Sequence, residues 1–500
     1  MDRRIIVNSI PGEKRMAILE EGRLVEFSLF RTSDQNCLGN IYRGTVKRIV
    51  HGMQSAFVEF GHERTGFIYL RDLRQDISYE EFEKNLNDDD GEEESGGEPA
   101  AAPIPEYVKE GGQIIVQVIK EPIGQKGARL TTHATLTGRF AVLMPTIRHT
   151  GVSKKIHDPE LRRDLQELAR RTVEKGYGVI IRTMAGSAPR QIVEREIVQL
   201  IKKWRTVQDN FKKGKNEELI GEPVSPVIEA IKNTYTDDLG DIICDDKADH
   251  DEALKYVSAF IPERKAAVRL HELPYPIFEY YGIEAEIDKT LGKKLWLKSG
   301  GFIYIEQTEA LTVVDVNTGK FLGHGSLEQT VLKTNLEAAD EISYQLRLRN
   351  IAGIIVVDFI DMRHHNNRMK VIRALETALE RDPAKNTVYQ FTRLGLIQIT
   401  RKRTSESALA TLTESCPYCA GTASILSRES VGFKIVREML RQNQLYGTRR
   451  FRVEAHPDVI FSIEHAFGRE FKEACRAHKI TVEMKSDTAI HREQFTVSEA

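Results

Sequence analysis

The chain is poor in the features that would tie it to an oxidising compartment or a bilayer. Its 500 residues hold only five cysteines, Cys37, Cys244, Cys416, Cys419 and Cys475, an odd and scattered set that argues against a disulfide framework. No apolar run approaches the ~18–20 residues of a membrane span. The start, Met1-Asp-Arg-Arg-Ile-Ile-Val, lacks the apolar core and cleavage site of a signal peptide. The expectation is a soluble, cytoplasmic protein. Net charge is lacking too. At −2, with 29% charged residues, the molecule is no basic coat for nucleic acid, so any anion-binding surface has to be local. The length suggests roughly three to five domains.

What the chain does hold is a pair of similar runs. Leu311-Thr-Val-Val-Asp315-Val-Asn317-Thr-Gly319 and Ile354-Ile-Val-Val-Asp358-Phe-Ile-Asp361 are short, β-branched and punctuated by aspartate. Each reads as a strand buried on both faces. Between them Leu327, Val331, Leu336, Ala339, Ile342 and Leu346 recur at near-helical spacing across residues 326–349. Strand, helix and strand make a parallel crossover, which sets Asp315 beside Asp358 at the carboxyl ends of neighbouring strands. Two carboxylates there repel unless a proton or a cation intervenes, and a hard cation such as Mg²⁺ is the natural partner. One such aspartate alone reads as a turn former or helix cap. Two, each preceded by Val-Val and separated by one helix, favour a shared site for metal-dependent phosphodiester chemistry. Asn317 lies two residues beyond Asp315, on the same side of an extended chain, where it can orient a carboxylate or a bound water. Asp361 is read as the cap of the following helix rather than as a third ligand.

In chain order, residues 3–36 read as strands broken at Pro11-Gly12 and Glu21-Gly22, too short to bury a core alone. Residues 38–132 read as a small β-barrel. Ala56, Val58 and Phe60 share one strand face, and Ile68 and Leu70 another; if these fill the barrel, Phe57 and Phe67 lie on its polar side with Arg43, Lys47 and Arg48. Aromatics and cations arranged so suit stacking on single-stranded bases, the bland reading being a small cluster under a loop. Within 85–105, Asp88-Asp-Asp-Gly-Glu-Glu-Glu is an acidic low-complexity stretch, expected to be disordered and to point away from nucleic acid. Across 133–226, Val179-Ile-Ile-Arg182-Thr183 is a strand ending in a cation and a hydroxyl, and 158–175 and 189–213 are helix-like. Taken alone, Arg182 reads as a surface residue. Cys416-Pro-Tyr-Cys419 is half of a tetrahedral zinc site. Cys475 and His478 are candidates for the other half, although a lone cysteine in a helix is more often buried filler. The economical solution is one Zn²⁺ shared by the pairs of two chains on the axis of an isologous dimer. Residues 427–500 read as a helix over Val431–Asn443 and an αβ remainder.

Several runs, in order and over nearly the whole chain, carry a resemblance: Gly39-Asn-Ile-Tyr-Arg-Gly-Thr-Val, Ala56-Phe-Val-Glu-Phe-Gly, Gly66-Phe-Ile, Leu130-Thr-Thr, Leu143-Met-Pro, Ile181-Arg-Thr, Leu336-Glu-Ala-Ala-Asp-Glu-Ile, Val357-Asp-Phe-Ile-Asp-Met, Thr392-Arg-Leu-Gly-Leu and Cys416-Pro-Tyr-Cys. Together they resemble the bacterial ribonuclease E/G family. The resemblance implies a multidomain α/β protein. An S1-type OB-fold barrel (37–132) is inserted between two parts of a ribonuclease-H-like domain (1–36 and 227–295). A 5′-sensor (133–226), a DNase-I-like catalytic subdomain (296–412), a zinc link (413–426) and a small domain for self-association (427–500) complete it. Asp315 and Asp358 match the metal-binding aspartates and Asn317 the supporting asparagine. Gly138, Val142, Arg182 and Thr183 match the pocket that grips a 5′-monophosphate, and the bidentate guanidinium suits that role. Lysine stands at Lys154-Lys155 where the family often has arginine. Phe57, Phe67 and Lys126 match barrel residues that contact RNA. The implied activity is Mg²⁺-dependent endonucleolytic cutting of single-stranded RNA, in ribosomal RNA precursors and messenger RNA, to 5′-phosphate and 3′-hydroxyl ends. The implied assembly is a zinc-linked dimer, with a dimer of dimers above it, and neither DNA nor membrane is a partner. The chain stops near residue 500 without the long scaffold tail of E-type members, so the shorter G type is the expectation. The competing reading is a non-catalytic RNA-binding platform.

Overall fold

The computed structural model describes residues 2–31, 37–74, 77–87, 108–122, 127–214, 217–234, 239–319, 327–403 and 406–500. Lys126 and the acidic stretch from residue 88 onward lie outside them. The chain divides into two compact units, Met1–Thr411 and Leu412–Ala500. Among the described residues, no helix is long and apolar enough to cross a membrane.

The first unit is mixed α/β. It opens with an antiparallel meander, β1 (Arg3–Ile10), β2 (Glu13–Glu20) and β3 (Arg23–Arg31), whose first turn puts Gly12 at φ +91°. A closed barrel follows: β4 (Ile41–Val50), β5 (Ser55–Glu59), β6 (Gly66–Tyr69), β7 (Gln113–Lys120) and β8 (Arg129–Thr131), with α1 (Tyr79–Asn87) between β6 and β7. Ala56, Val58, Phe60, Ile68 and Leu70 fill it, as their alternation predicts. Arg43 does not face solvent as expected. It is fully buried, and its Nη2 donates to the carbonyls of Asn210 and Phe211, each at 2.6 Å. Strand periodicity places a side chain on one side of a barrel wall but does not show that another element covers that side.

The next sheet has the order β11-β12-β10-β9 and consists of β9 (Leu136–Thr137), β10 (Ala141–Met144), β11 (Thr150–Val152) and β12 (Gly178–Ile181). Two amphipathic helices pack in its cluster, α2 (Pro159–Thr172), capped by Asp158, and the long α3 (Arg190–Lys213). After α4 (Pro226–Thr234), β13 (Leu239–Cys244) adds parallel to β1, and after α5 (Lys247–Phe260), β14 (Val268–Leu270) completes that first sheet in the order β14-β13-β1-β2-β3.

Helices α6 (Ile277–Tyr280) and α7 (Ile283–Leu291) lead into a six-stranded sheet, β15 (Lys294–Trp296), β16 (Phe302–Gln307), β17 (Leu311–Asn317), β18 (Gly353–Asp358), β19 (Asn386–Val388) and β20 (Leu396–Arg401), ordered β15-β16-β17-β18-β20-β19. The expected crossover is present: β17 and β18 are parallel neighbours joined through α8 (Leu327–Leu348). Val331, Ala338, Ile342 and Leu346 of α8, with Val371 and Leu375 of α9 (His365–Leu379), bury Ile303, Val314, Val316, Ile355 and Val357. The strands are not buried on both faces as expected. Helices cover one side only, and on the other Val313 and Ile354 are 38% and 51% exposed. Two apolar residues in an otherwise alternating strand produced the misreading, since a continuous run and a half-open one differ there by a single position. Arg347 of α8 reaches Glu20 and Glu26 at 3.0 and 2.6 Å and so fastens this layer to the first sheet. A buried Arg401–Asp382 pair, at 2.6 Å, closes the far edge.

The second unit follows α10 (Ala408–Leu412). Helices α11 (Arg428–Tyr446), α12 (Pro457–His465) and α13 (Gly468–Ala477) accompany a sheet ordered β22-β21-β23, made of β21 (Arg450–Ala455), β22 (Thr481–Ser486) and β23 (Phe495–Glu499). Val431, Ile435, Phe451, Val453 and Ile463 centre its core.

Candidate active site

The register of β17 against β18 pairs Asp315 directly with Asp358. Neighbouring strands run ~4.8 Å apart, so the two carboxylates project from adjacent positions on the open face. Asn317 Nδ2 donates to Asp315 Oδ2 at 2.7 Å and orients that carboxylate. Burial, then the charges of Asp315 and Asp361, push the Asp358 carboxyl above its ordinary value. Like charges held this close are what a hard cation would relieve. All donors are hard oxygens, which fits Mg²⁺. Among the described residues, no group of three or more acidic, histidine or cysteine side chains could hold a metal ion.

Asp361 does not cap the next helix. The N-cap of α9 is His364, and Glu328 of α8 takes the backbone N–H groups of Arg363 and His364 at 3.2 and 3.3 Å. The charge of Asp361 is directed at Asp358 instead. Sequence reasoning also missed Asn335, fully buried on α8. It donates to the Ile360 carbonyl at 2.8 Å and accepts from the Ile360 N–H at 3.1 Å, which fixes the turn that follows Asp358. An amide within the buried stripe of a helix was the available signal.

In the four-stranded sheet, Gly138, Val142, Arg182 and Thr183 converge at one end. The Arg182 N–H donates to the Phe140 carbonyl and its Nη1 to the Gly138 carbonyl, both at 2.7 Å. Val142 is half-buried opposite Ile180 and Thr137. The Thr183 hydroxyl is exposed and lies 3.0 Å from Ser153 Oγ. The 139–141 backbone is held by Glu196 of α3, whose carboxylate accepts N–H groups from Arg139, Phe140 and Ala141 at 2.7, 2.7 and 3.0 Å. Burial pushes the Glu196 carboxyl up and those bonds partly offset it. Lys232 donates to the Thr137 carbonyl at 3.0 Å. Glu196 stands at helical spacing among Val193, Ile197 and Leu200, and a carboxylate within that apolar stripe was the available signal. Lys154 and Lys155 are exposed.

On the barrel, Phe57 and Phe67 are cross-strand partners and both half-exposed. Tyr69 lies edge-on to Phe67 at 5.6 Å, with the Arg71 and Arg129 guanidinium groups over its ring. Arg48 is exposed beside Phe57, and Lys47 is paired with Glu59.

The sequence model of the Ribonuclease E/G family matches residues 135–404, which span the four-stranded sheet and the aspartate pair. The chain belongs to the ribonuclease E/G family. It is 39% identical over 456 residues to ribonuclease G of Haemophilus influenzae, covering 91% of this chain and 90% of that protein. It is 35% identical over 499 residues to ribonuclease G of Escherichia coli, covering 99% of each. Its identity to Escherichia coli ribonuclease E is 32% over 449 residues, 88% of this chain and 41% of that protein. In this family member, Cys416 is exposed and Cys419 half-exposed. The backbone N–H groups of Cys419 and Tyr418 hold the Cys416 thiol below its ordinary value, which favours a metal-binding thiolate. Cys475 packs against the core of the second unit and joins no metal-binding group with the pair. The turn after Cys419 places Ala420, Gly421 and Ala423 at φ +49°, +82° and +58°, so Ala423 holds a left-handed position natural to glycine.

Proposed function

We propose that this ribonuclease E/G family member is a Mg²⁺-dependent endoribonuclease that cuts single-stranded RNA to 5′-phosphate and 3′-hydroxyl ends, is stimulated by a 5′-monophosphate, and acts in ribosomal RNA processing and messenger RNA decay in the cytoplasm. The observation that carries the reading is the register pairing of Asp315 with Asp358 on an open sheet face, with Asn317 bonded to the first. Asp315 and Asp358 are the residues that would hold Mg²⁺, whose chemistry there is to polarise a phosphate oxygen and lower the pKa of a water. Asn317 fixes the Asp315 carboxylate, and Asn335 holds the turn after Asp358. Phe57 and Phe67, with Lys126, grip the strand by stacking and phosphate contact, with little base readout. Arg182, braced on the Gly138 carbonyl, and the Thr183 hydroxyl receive the terminal phosphate beside Val142, so a remote contact contributes to cutting.

We assign the family's domain names to the sheets. The first sheet, interrupted between β3 and β13, is the ribonuclease-H-like part, the barrel is the S1-type OB-fold, and the four- and six-stranded sheets are the 5′-sensor and the DNase-I-like catalytic subdomain. Cys416 and Cys419 from two copies share one Zn²⁺ and make the dimer, with a dimer of dimers as the larger assembly.

The test uses a short 3′-labelled single-stranded RNA in 5′-monophosphate and 5′-hydroxyl forms, with and without Mg²⁺, the products sized on a gel. Internal cuts that need Mg²⁺ and run faster on the monophosphate are expected. Equal rates on the two ends would remove the sensor. Intact RNA in every lane, with binding still seen by mobility shift, would make the protein a platform.

A further inference from the structure

The open face of the six-stranded sheet carries more than the aspartates. Lys294, Tyr304, Asp315 and Asp358 stand in one cross-strand row, and Trp296, Phe302 and Asn317 in the next. The aromatics are not core. The same strands send Leu295 and Ile303 inward, while Trp296 is 66% and Tyr304 38% exposed. The rings form a continuous ladder, with Trp296 to Phe302 at 5.4 Å and 70° and Phe302 to Tyr304 at 5.6 Å and 87°. Lys294 Nζ lies 3.9 Å from the centre of Phe302 and 4.2 Å from that of Trp296. Such a lysine contact is weak where exposed, so an arriving ligand can displace it. Tyr304 is one strand from Asp315 and Trp296 two, on the order of 10 Å. Flat π faces with a mobile cation, continuous with paired carboxylates, match a nucleobase and its phosphate. A hydrophobic protein surface would gain nothing from the lysine or the acids.

We propose that Trp296, Phe302 and Tyr304, with Lys294, form a stacking platform for the base of a nucleotide flanking the scissile phosphate of single-stranded RNA. The placement rests on the reading of Asp315 and Asp358 as the cleavage site. A stacked base there fixes the backbone over the carboxylates and makes cutting depend on base stacking next to the cut, while Lys294 swings to the strand's phosphate.

The chain supplies its own reporter, because its two tryptophans are Trp204, 4% exposed, and Trp296. The full chain carrying Asp315→Asn, with and without Trp296→Phe, is titrated with a short single-stranded RNA and with a ribose-phosphate strand of the same length lacking bases. The difference spectrum isolates Trp296. Saturable quenching by the base-bearing strand and none by the base-free strand is expected. In the otherwise native chain, Trp296→Ala with Tyr304→Ala lowers kcat/KM about ten-fold or more, in keeping with loss of base stacking, and Trp296→Phe with Tyr304→Phe restores most of it because a ring suffices. No quenching, equal quenching by both strands, or an unchanged kcat/KM in the double alanine variant would overturn the proposal. So would a Trp296 signal that follows protein concentration instead of RNA, which would give the face to a second copy. Cleavage by Asp315→Asn at the native rate would remove the underlying site reading and the platform's placement with it. That outcome is distinct from lost quenching in a chain that Asp315→Asn has silenced.

Discussion

Gly138→Ala probes the proposed sensor pocket at a point of close packing. A Cβ at 138 would lie 2.5 Å from Glu196 Cδ and 2.6 and 2.8 Å from its two carboxylate oxygens. The glycine has no left-handed φ, so the contact alone forbids a side chain. The methyl pushes the carboxylate off the N–H groups of Arg139, Phe140 and Ala141. Each buried N–H left without an acceptor costs ~1–3 kcal/mol. Losing two of them, with partial relaxation, amounts to about 3 kcal/mol of destabilisation. The same shift moves the Gly138 carbonyl that braces Arg182. The expected outcome is a lower urea midpoint and a 5′-monophosphate to 5′-hydroxyl rate ratio that collapses toward unity, while cutting of the hydroxyl substrate persists at temperatures where the variant is folded. The ratio is the internal control, since general unfolding slows both substrates alike. Native stability with an undiminished preference would show that Glu196 does not hold the pocket.

The remaining predictions concern other parts of the molecule. Asp315→Asn and Asp358→Asn each abolish cleavage and leave RNA retardation in a gel intact; full activity in either would sink the metal assignment. Without metal, Asp358→Asn also melts higher than the native chain at neutral pH. Its carboxyl is raised in the fold, so ionisation penalises the fold in full above that raised value, and the penalty fades as pH falls toward the ordinary carboxylate value and is absent below it; a melting difference that ignores pH would refute this. Arg401→Met strands the buried Asp382 carboxylate and lowers stability by about 3–5 kcal/mol, read from urea unfolding. Ala423→Gly relieves a left-handed alanine and raises the stability of the second unit by about 1 kcal/mol in thermal unfolding. Cys416→Ser with Cys419→Ser releases zinc and slows sedimentation to that of a monomer, and an unchanged profile would reject the shared ion.

Much of this was legible before any coordinates. The β17–α8–β18 crossover announces itself because an apolar β-branched run and a helical stripe have different periods. The interior of the barrel follows from alternation at Ala56, Val58 and Phe60. What escaped depends on contacts between elements distant in sequence. Arg43 looks like a surface cation until the end of α3 is set against the barrel. Glu196 breaks the apolar stripe of α3 in the sequence, but its partners are unknown until the 139–141 backbone turns its N–H groups toward it. Asp361 looks like a cap because its spacing does not show that α9 starts only after His364, in a turn whose Arg363 and His364 N–H groups are held by Glu328 of the preceding helix. Trp296, Phe302 and Tyr304 are unremarkable in sequence, and only the strand register places them in line with the aspartates.

The parallel pairing of β17 with β18 also bears on how the protein comes into being. Each strand supplies one aspartate, and the whole of α8 lies between them. A growing chain that has released β17 but not β18 holds only one of the two paired aspartates. The first sheet is similarly incomplete until β13 returns to β1. The paired carboxylates therefore arise only once α8 has packed and β18 has docked beside β17, so the candidate site is a property of the completed sheet and of no local segment.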